Sequence, residues 1–464
     1  MRPALINRRT FIGGATAAAS AAVGGALMSL GAGARTPTSL TLEPRSTTFQ
    51  FLDGQPTRNV LSYAENAPAP VIRVRQGEEL QAVLRNRLKE PTTVHWHGMR
   101  LPNAMDGVPF LTQPYIYENE TFTYTFRPPD AGSFWYHPHC NSLAQLSYGL
   151  TGLLIVEEAT NPGYDADLAF NLRDWRLGTD GQFIKLFNPR QSARAGTHGT
   201  VRTANWRQQP AHDAPAGGLA RLRLIVTDVT RVYKLAISGA DAVIIALDGN
   251  PLPTPMPLTT YAVAPGQRMD VVVRMPKSEG QTISVLDHSA HPTRTLATIR
   301  AVGPSLQRDL AAVAPLPPNP HPELDLTAAT HIPLEFQATA EQVPKSKFCG
   351  ELGYSFWAIN RTVWTGSSPD PAKPLVEFKQ GKTYRLSLFN RTPHPHPIHL
   401  HGMSFKLLRS DRRTLPPIWT DTALIMPDEH VEVGLVADNP GDWLLHCHII
   451  EHQESGMTGV VRVT

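Results

Sequence analysis

The sequence predicts an all-β protein built from three consecutive β-sandwich domains. From residue 36 onward, short runs alternate apolar and polar residues, as in Thr121–Phe126, and Pro, Gly, Asn or Asp separates these runs. Part of the first third of the chain recurs in the last third, and the segment between them has the same strand pattern. We therefore expect three related sandwich domains.

The first domain is expected over residues 35–159 and the last over residues 306–464. Gln76 recurs as Gln380 and His95 as His399, both at an offset of 304 residues. A Pro-rich run at 315–322 is typical of a stiff linker and introduces the last domain. The repeat therefore indicates that the first and last domains are copies of one unit.

The middle domain is expected over residues 160–305. Its apolar runs at Tyr261–Val263 and Met269–Val273 have the texture of strands, but it contains no paired histidines. The simplest interpretation is a third copy of the same unit that has no metal site.

Residues 1–34 predict a twin-arginine signal peptide. Arg8 and Arg9 precede an uncharged Ala/Gly-rich run from Ile12 to Gly33, and small residues follow at 32–34. A membrane anchor is the alternative, although the run is only weakly apolar. We expect cleavage near Ala34, export to the periplasm and no stable membrane association.

The charge balance argues against polyanionic partners. The chain has 43 Lys and Arg against 40 Asp and Glu, and three of the arginines lie in the predicted signal peptide. The mature chain is therefore neutral and offers no electrostatic case for nucleic acid or an anionic membrane surface.

The histidines predict a metal centre. Eight of the 18 histidines form four His-x-His pairs: His95 and His97, His137 and His139, His399 and His401, and His446 and His448. Alternate residues of a strand point to one side, so two such strands can form a four-nitrogen pocket. A single pair is more often structural, but four pairs related by a repeat indicate ligands for Cu, Zn, Fe or Ni.

A second ligand set surrounds the last pair. Cys447 lies inside it, His452 and Met457 follow, and His396 precedes it. Two His, one Cys thiolate and a distant Met form the ligand set of a blue-copper electron-transfer centre. The first-domain counterpart of Cys447 is Pro138, so only the last domain can hold this centre.

Four motifs together resemble the signatures of the multicopper oxidases: His95–Gly98, His137–His139, His396–Gly402 and His446–Met457. The resemblance implies three cupredoxin-like Greek-key β-sandwich domains and a copper-dependent oxidoreductase with O2 as acceptor. Met105–Pro109 and Ala131–His139 further resemble the proteobacterial laccase-like branch that includes the CumA proteins.

The resemblance also implies four copper ions. It assigns the type 1 ion to His396, Cys447, His452 and Met457, the type 2 ion to His95 and His399, and the type 3 pair to His97, His137 and His448 on one ion and His139, His401 and His446 on the other. Because Cys447 lies between two cluster ligands, electrons can pass from the type 1 ion through a few covalent bonds.

Asp106 matches an acid that lies near the type 2 copper in the family, and we interpret it as a catalytic proton relay. The alternative is that Asp106-Gly107 is simply a turn. Gln453 departs from the family pattern, because well-known bacterial relatives have Glu at this position. Glu454 or a chain of waters could substitute for that acid.

The expected function is laccase-like oxidation of phenolic or similar small reductants, coupled to reduction of O2 to water. A metal oxidase acting on Mn(II) or Cu(I) is the alternative, and a non-enzymatic copper-binding relative is disfavoured by the complete ligand set. Since both halves of the cluster lie in one chain, a monomer suffices. His394 is a candidate for lining the substrate entrance. Cys140 and Cys349 could form a disulfide or remain buried thiols.

Overall fold

The computed structural model describes residues 38–339, 355–364 and 373–464. The predicted signal peptide and Cys349 lie outside the described residues, so the cleavage site and the pairing of Cys140 with Cys349 stay predictions. The helices among the described residues are short, and the α-helices span Ser142–Ser147 (α1), Pro189–Ser192 (α2) and Ile450–Glu454 (α3). None of the described helices is long and apolar enough to cross a membrane.

The first domain contains a three-stranded sheet, a four-stranded sheet and a hairpin. Its strands are β1 (Thr38–Leu42), β2 (Arg45–Leu52), β3 (Gln55–Ser62), β4 (Ile72–Arg75), β5 (Leu80–Arg85), β6 (His95–His97), β7 (Thr121–Phe126), β8 (Gly132–His137) and β9 (Gly152–Glu157). The sheets have the orders β1-β5-β7 and β4-β9-β8-β6, and β2 pairs with β3. Burial alternates along β4 and β5, as expected for strands with one face on the core.

The middle domain contains a six-stranded and a five-stranded sheet. Its strands are β10 (Ala166–Trp175), β11 (Val201–Ala204), β12 (Ala211–Pro215), β13 (Leu219–Val226), β14 (Tyr233–Ser238), β15 (Ala242–Leu247), β16 (Asn250–Pro257), β17 (Tyr261–Val263), β18 (Arg268–Arg274), β19 (Thr282–Asp287) and β20 (Arg294–Val302). The sheet orders are β11-β10-β13-β18-β15-β16 and β12-β20-β19-β14-β17.

The last domain has the same two sheets. Its strands are β21 (Thr330–Ala338), β22 (Trp357–Ile359), β23 (Val376–Phe378), β24 (Thr383–Asn390), β25 (His396–Leu400), β26 (Phe405–Ser410), β27 (Trp419–Thr420), β28 (Thr422–Ile425), β29 (His430–Val436), β30 (Gly441–Cys447) and β31 (Thr458–Val463). The sheet orders are β22-β21-β24-β29-β26-β27 and β23-β31-β30-β25-β28.

The strand order repeats from domain to domain. Each strand of the last domain occupies the place of the middle-domain strand eleven positions earlier, and β4-β9-β8-β6 is the same order as β12-β20-β19-β14. The predicted all-β fold of three related sandwiches is thereby confirmed. The boundaries at 159/160 and 305/306 stay predictions, and they fall between β9 and β10 and after β20.

The hydrophobic cores pair the first domain with the last. Buried side chains of these two domains, including Trp96 and Trp443, form one continuous cluster. The middle domain has its own cluster around residues such as Leu224 and Val271. Because the two repeats share one core, their equivalent strands can meet between them.

The middle domain is joined to the first by buried charge. Every residue of β13 is buried, although two of them are arginines. The Arg221 guanidinium donates to Asp270 at 2.6 Å, and the Ser133 hydroxyl of the first domain donates to the same carboxylate at 2.6 Å. Burying these charges is tolerable because each has a charged or hydrogen-bonded partner.

Gly107 allows the turn that carries Asp106, and its replacement tests how tightly this turn is held. Gly107 has φ +83°, and a Cβ there would lie 1.8 Å from the carbonyl oxygen of Val94. Gly77 has φ +77° with nothing within 4 Å of a Cβ, so it is a matched control. We expect Gly77→Ala to cost about 1 kcal/mol and Gly107→Ala about 3 kcal/mol or more in urea unfolding. Equal losses would show that the turn can move.

Candidate metal centres

Each of the four His-x-His pairs begins on one of the equivalent strands of the two repeats, and three of the pairs continue past the strand end. Strand β6 pairs with β8 so that His95 lies opposite His137, and β25 pairs with β30 so that His399 lies opposite His446. On the equivalent middle-domain strands, Leu235 lies opposite Asp287. The same backbone pairing therefore presents two imidazoles in the first and last domains. In the middle domain, the equivalent positions carry a leucine and an aspartate.

The eight imidazoles converge between the first and last domains. His95 stacks on His401, and His97 stacks on His399, each at 3.8 Å between ring centroids. Seven of the eight side chains are at most 1% exposed, and His139 is 9% exposed. We call these eight residues the histidine cluster.

Many nitrogens of the histidine cluster have no hydrogen-bond partner: His95 Nε2, His97 Nδ1, His137 Nε2, His139 Nε2, His399 Nε2, and both Nδ1 and Nε2 of His448. Burial is the largest cause that lowers the pKa of seven cluster imidazoles, namely His97, His137, His139, His399, His401, His446 and His448. These imidazoles are therefore neutral, which is the form that binds metals.

One contact within the cluster fits a bound cation. The Nε2 atoms of His401 and His446 lie 3.1 Å apart. His401 Nδ1 donates to a carboxylate oxygen of Asp106 at 2.9 Å, and His446 Nδ1 donates to the Cys447 carbonyl at 3.0 Å. A neutral imidazole carries one N–H, so both Nε2 atoms are lone pairs that face each other. A metal ion between them removes this repulsion.

The structure groups the ligand atoms of one triad expected for the type 3 pair, whereas in the other triad His97 and His137 group with His95 and His448 lies nearby. Ligand atoms of His139, His401 and His446 lie within 4.8 Å of one another. For the other triad, the His448 ring centroid lies 4.8 Å from that of His97 and 5.4 Å from that of His137. His95 and His399, the expected type 2 pair, have ring centroids 5.7 Å apart.

Asp106 lies inside the cluster and not on a surface turn. It is fully buried, and its carbonyl oxygen lies 3.0 Å from His95 Nδ1. The Oδ2 atom accepts the hydrogen bond from His401, while Oδ1 lies 3.2 Å from His95 Nδ1. Asp106 thus orients one imidazole from each half of the cluster.

Asp421 is a second buried acid at the cluster, and sequence reasoning missed it. Its carbonyl oxygen lies 3.0 Å from His399 Nδ1, and its Oδ1 lies 3.2 Å from His97 Nε2. Asp106 follows its histidine by 11 residues, whereas Asp421 follows His399 by 22, so the internal repeat carries no signal for it.

A guanidinium from the middle domain holds Asp421 in place. Arg268 donates to the two carboxylate oxygens of Asp421 at 2.8 and 2.7 Å, and both side chains are buried. Burial works against the carboxylate, yet Arg268, His399 and His97 hold the pKa of Asp421 well below its usual range. The middle domain, which contributes no histidine to the cluster, therefore controls the charge beside it.

The second candidate centre, which we call the mononuclear centre, contains His396, Cys447 and His452. Cys447 Sγ lies 3.6 Å from His396 Nδ1 and 3.5 Å from His452 Nδ1, and the two nitrogens lie 3.0 Å apart. All three side chains are fully buried. Met457 is also fully buried, and its carbonyl accepts a hydrogen bond from the Cys447 N–H at 3.0 Å.

In the mononuclear centre, hydrogen bonds to the Nε2 atoms of His396 and His452 set the tautomers of both imidazoles. His452 Nε2 lies 2.7 Å from the Arg194 carbonyl, which can only accept. His396 Nε2 lies 2.7 Å from the Thr392 hydroxyl, whose own proton goes to Asn390 Oδ1 at 2.8 Å. Both Nε2 atoms are therefore donors, and both Nδ1 lone pairs face the sulfur.

The donor set of the mononuclear centre fits copper. Burial raises the pKa of the Cys447 thiol, so a thiolate at this position needs a bound cation. Two imidazoles, one thiolate and a buried Met form a set that soft, redox-active copper prefers. The imidazoles of the histidine cluster suit copper as well.

Cys447 connects the two centres covalently. His446 and His448 of the cluster flank it in the chain, and its carbonyl accepts the hydrogen bond from His446. The path from the sulfur to the cluster therefore consists of a few bonds and one hydrogen bond.

Other residues singled out in the sequence have defined places. Gln453 is buried, with no hydrogen-bond partner on Oε1. Glu454 accepts from the Leu143 N–H of α1 at 2.6 Å. The ring centroid of His394 lies 6.3 Å from that of Trp357, which also packs on His396 and His452. His394 therefore lies beside the mononuclear centre.

The Arg268 and Asp421 pair can be tested by a double mutation. Asp421→Asn leaves the buried Arg268 guanidinium with only its longer ion pair to Asp248, at 3.5 Å, and we expect a loss of about 3 kcal/mol in urea unfolding. Arg268→Met should then cost less in the Asp421→Asn background than in the wild-type protein, because one of its two charged partners is already gone. The copper content of each variant reports whether His97 and His399 keep their positions. Equal losses for Arg268→Met in the two backgrounds would contradict the pairing argument.

Family models described as multicopper oxidase match three segments of the chain, at residues 45–161, 189–302 and 331–464. Among solved structures, the chain resembles a multicopper oxidase from Pseudomonas thermotolerans with a TM-score of 0.85 and 38% identity, covering 92% of this chain and 100% of that one.

Two curated relatives extend the comparison. Multicopper oxidase MmcO of Mycobacterium tuberculosis is 28% identical, with 87% of this chain and 83% of the relative covered. Laccase-2 of Fomitopsis schrenkii is 27% identical, with 85% and 84% covered. The matched segments, the cupredoxin-like fold and the paired histidine centres agree, and the chain belongs to the multicopper oxidases, copper-binding oxidoreductases that use O2.

Proposed function

We propose that the protein is a laccase-like oxidase that takes single electrons from phenolic or similar small reductants. The observation that carries the proposal is the covalent connection between the mononuclear centre and the histidine cluster through Cys447. A reductant can give up its electron at one centre while O2 is reduced at the other. A protein that only binds copper would not need this connection between the two centres.

We infer the following ligand assignment. The type 1 site consists of His396, Cys447, His452 and Met457, and the type 2 site consists of His95 and His399. The type 3 triads are His97, His137 and His448, and His139, His401 and His446. When bound there, copper supplies one-electron oxidation of the reductant and four-electron reduction of O2 to water.

The chain's own residues orient and insulate these sites. The Arg194 carbonyl and Thr392 fix the outer imidazole edges of the mononuclear centre, so its inner nitrogens are available as ligands. Asp106 and Asp421 do the same for the histidine cluster. Because these partners are already in place, little reorganisation is needed at each electron transfer.

Asp106 is the residue we propose to handle protons. It is buried within hydrogen-bond reach of a cluster imidazole, and O2 reduction to water consumes protons. Glu454 is already hydrogen-bonded to the α1 backbone, and Gln453 cannot act as an acid. The proposed proton route therefore runs through Asp106.

Metal ions remain the second candidate class of substrate. Among the described residues, every group of His, Cys, Asp or Glu that could hold a metal ion belongs to the two buried centres. Groups of three such residues are therefore found only at these buried centres within residues 38–339, 355–364 and 373–464, and we place metal ions second.

We further propose that the protein acts in the periplasm as a monomer after twin-arginine export. The paired Arg8 and Arg9 support export, and the presence of both cluster halves in one chain supports a monomer. Membership of the CumA-like branch stays a prediction from the first-domain motifs.

Oxygen uptake by the copper-loaded protein tests the proposed function. We expect fast uptake with a dimethoxyphenol, slower uptake with Cu(I) or Mn(II), and none with the phenol after Cys447→Ser. The serine variant should still contain the copper of the histidine cluster, which separates loss of the mononuclear centre from loss of folding. Uptake with metal ions alone would favour a metal oxidase.

Asp106→Asn tests the proton relay. The amide keeps a hydrogen-bond acceptor for His401 but cannot exchange a proton at neutral pH, so we expect kcat to fall by about 100-fold. Copper content and anaerobic reduction of the type 1 centre by substrate should not change. A loss of copper would instead assign Asp106 a purely structural role.

A further inference from the structure

The segment from Gly181 to His212 is strongly cationic. It contains Lys185 and four arginines but no Asp or Glu, in a mature chain that is neutral overall. Arg202 pairs with Asp287. The remaining four basic side chains are exposed: Lys185, Arg190, Arg194 and Arg207. We call residues 181–212 the cationic segment.

Residues 192–197 of the cationic segment cover the mononuclear centre. The Arg194 carbonyl accepts from His452 Nε2 at 2.7 Å, and the Ser192 carbonyl accepts from the Trp357 indole at 3.0 Å. The Ser192 hydroxyl and the Thr197 N–H donate to buried Glu451, which precedes His452 in the chain. Both sides of Arg194 are therefore fastened to the last domain.

This cover changes where a reductant can bind. His452 and His396 are fully buried, and the outer nitrogen of His452 is already occupied by the Arg194 carbonyl. A reductant therefore cannot accept a hydrogen bond from His452 Nε2 directly. From this side it approaches the Arg194 segment, and its electron crosses that peptide to reach the imidazole.

The Arg194 side chain places a positive charge at this point. It is exposed, and the residue's own main-chain carbonyl contacts His452. No salt bridge links Arg194 to a carboxylate of the described chain, and the nearby Glu451 is buried and engaged by three donors. The charge is thus available to an approaching molecule.

We propose that the surface around Arg194 is a docking site for anionic one-electron donors, such as phenols that carry a carboxylate. This inference rests on the proposed oxidase function and specifies its substrate class. The positive surface attracts the anion and raises its local concentration beside His452. Each phenol loses one electron to the mononuclear centre and its hydroxyl proton to water, and four such events match the reduction of one O2 to two waters.

Three outer-sphere donors of different charge test the proposal on the copper-loaded protein: ferrocyanide, hydroxymethylferrocene and hexaammineruthenium(II). We expect Arg194→Ala to lower kcat/KM for ferrocyanide by about tenfold. For the neutral ferrocene, the variant and the wild-type protein should have nearly the same kcat/KM. Arg194→Glu should lower the ferrocyanide value further and raise the value for the ruthenium cation. Arg194→Lys should retain most of the preference for ferrocyanide over the neutral and cationic donors.

A binding measurement provides a readout that does not depend on turnover. The redox-inert anion hexacyanocobaltate(III) should bind the wild-type protein in calorimetry and bind Arg194→Ala more weakly, and added salt should weaken the wild-type interaction. Arg85→Ala is the matched control, because Arg85 is an exposed arginine on β5 and its removal changes the net charge equally.

Two patterns would overturn the proposal. Equal losses for all three donors would indicate that Arg194 only supports the cover structurally, and equal effects of Arg85→Ala and Arg194→Ala would indicate a net-charge effect without a docking site. If none of the donors supports oxygen uptake, the proposed oxidase function fails, while hexacyanocobaltate binding still decides whether the anion site exists.

Discussion

The structure depends on burying imidazole nitrogens that the protein itself leaves without partners. A buried polar atom without a hydrogen bond costs free energy, and the histidine cluster contains several such atoms. At His401 and His446, two lone pairs even face each other. The fold keeps these groups together through the pairing of their strands and through main-chain or carboxylate partners on the second nitrogens of five imidazoles: His95, His137, His399, His401 and His446. Metal binding then removes the penalty, so copper affinity and folding stability are coupled.

The three domains contribute unequally to the two metal centres. The first and last domains share one hydrophobic core and each contributes four imidazoles, as their common strand order allows. The middle domain has the same strand order, but contributes Arg268 to Asp421 and the cationic segment to the mononuclear centre. A copy without metal ligands thus sets the charge beside one centre and the access to the other.

The two buried acids illustrate how similar geometry arises from dissimilar sequence. Asp106 and Asp421 each place a main-chain carbonyl on one imidazole and a carboxylate oxygen near another, once in each repeat. Only Asp421 has a guanidinium partner among the described residues, so the two carboxylates differ in charge environment. Arg268 therefore helps to keep Asp421 charged, because it holds the pKa of that carboxyl well below its usual range.

The sequence by itself determined the fold class and singled out the two histidine-bearing repeats and the candidate ligand residues, because strand periodicity and His-x-His spacing are local properties of the chain. It also singled out Asp106 and Cys447. Only the tertiary structure revealed Asp421, since its place beside His97 depends on the pairing of β25 with β28 and on Arg268 from another domain. The cover over His452 was likewise invisible, because Arg194 acts through a backbone carbonyl, which every residue type carries. Contacts between distant segments leave no periodic signal in the sequence. Those contacts decide how a reductant reaches the mononuclear centre and which charged groups lie beside the histidine cluster.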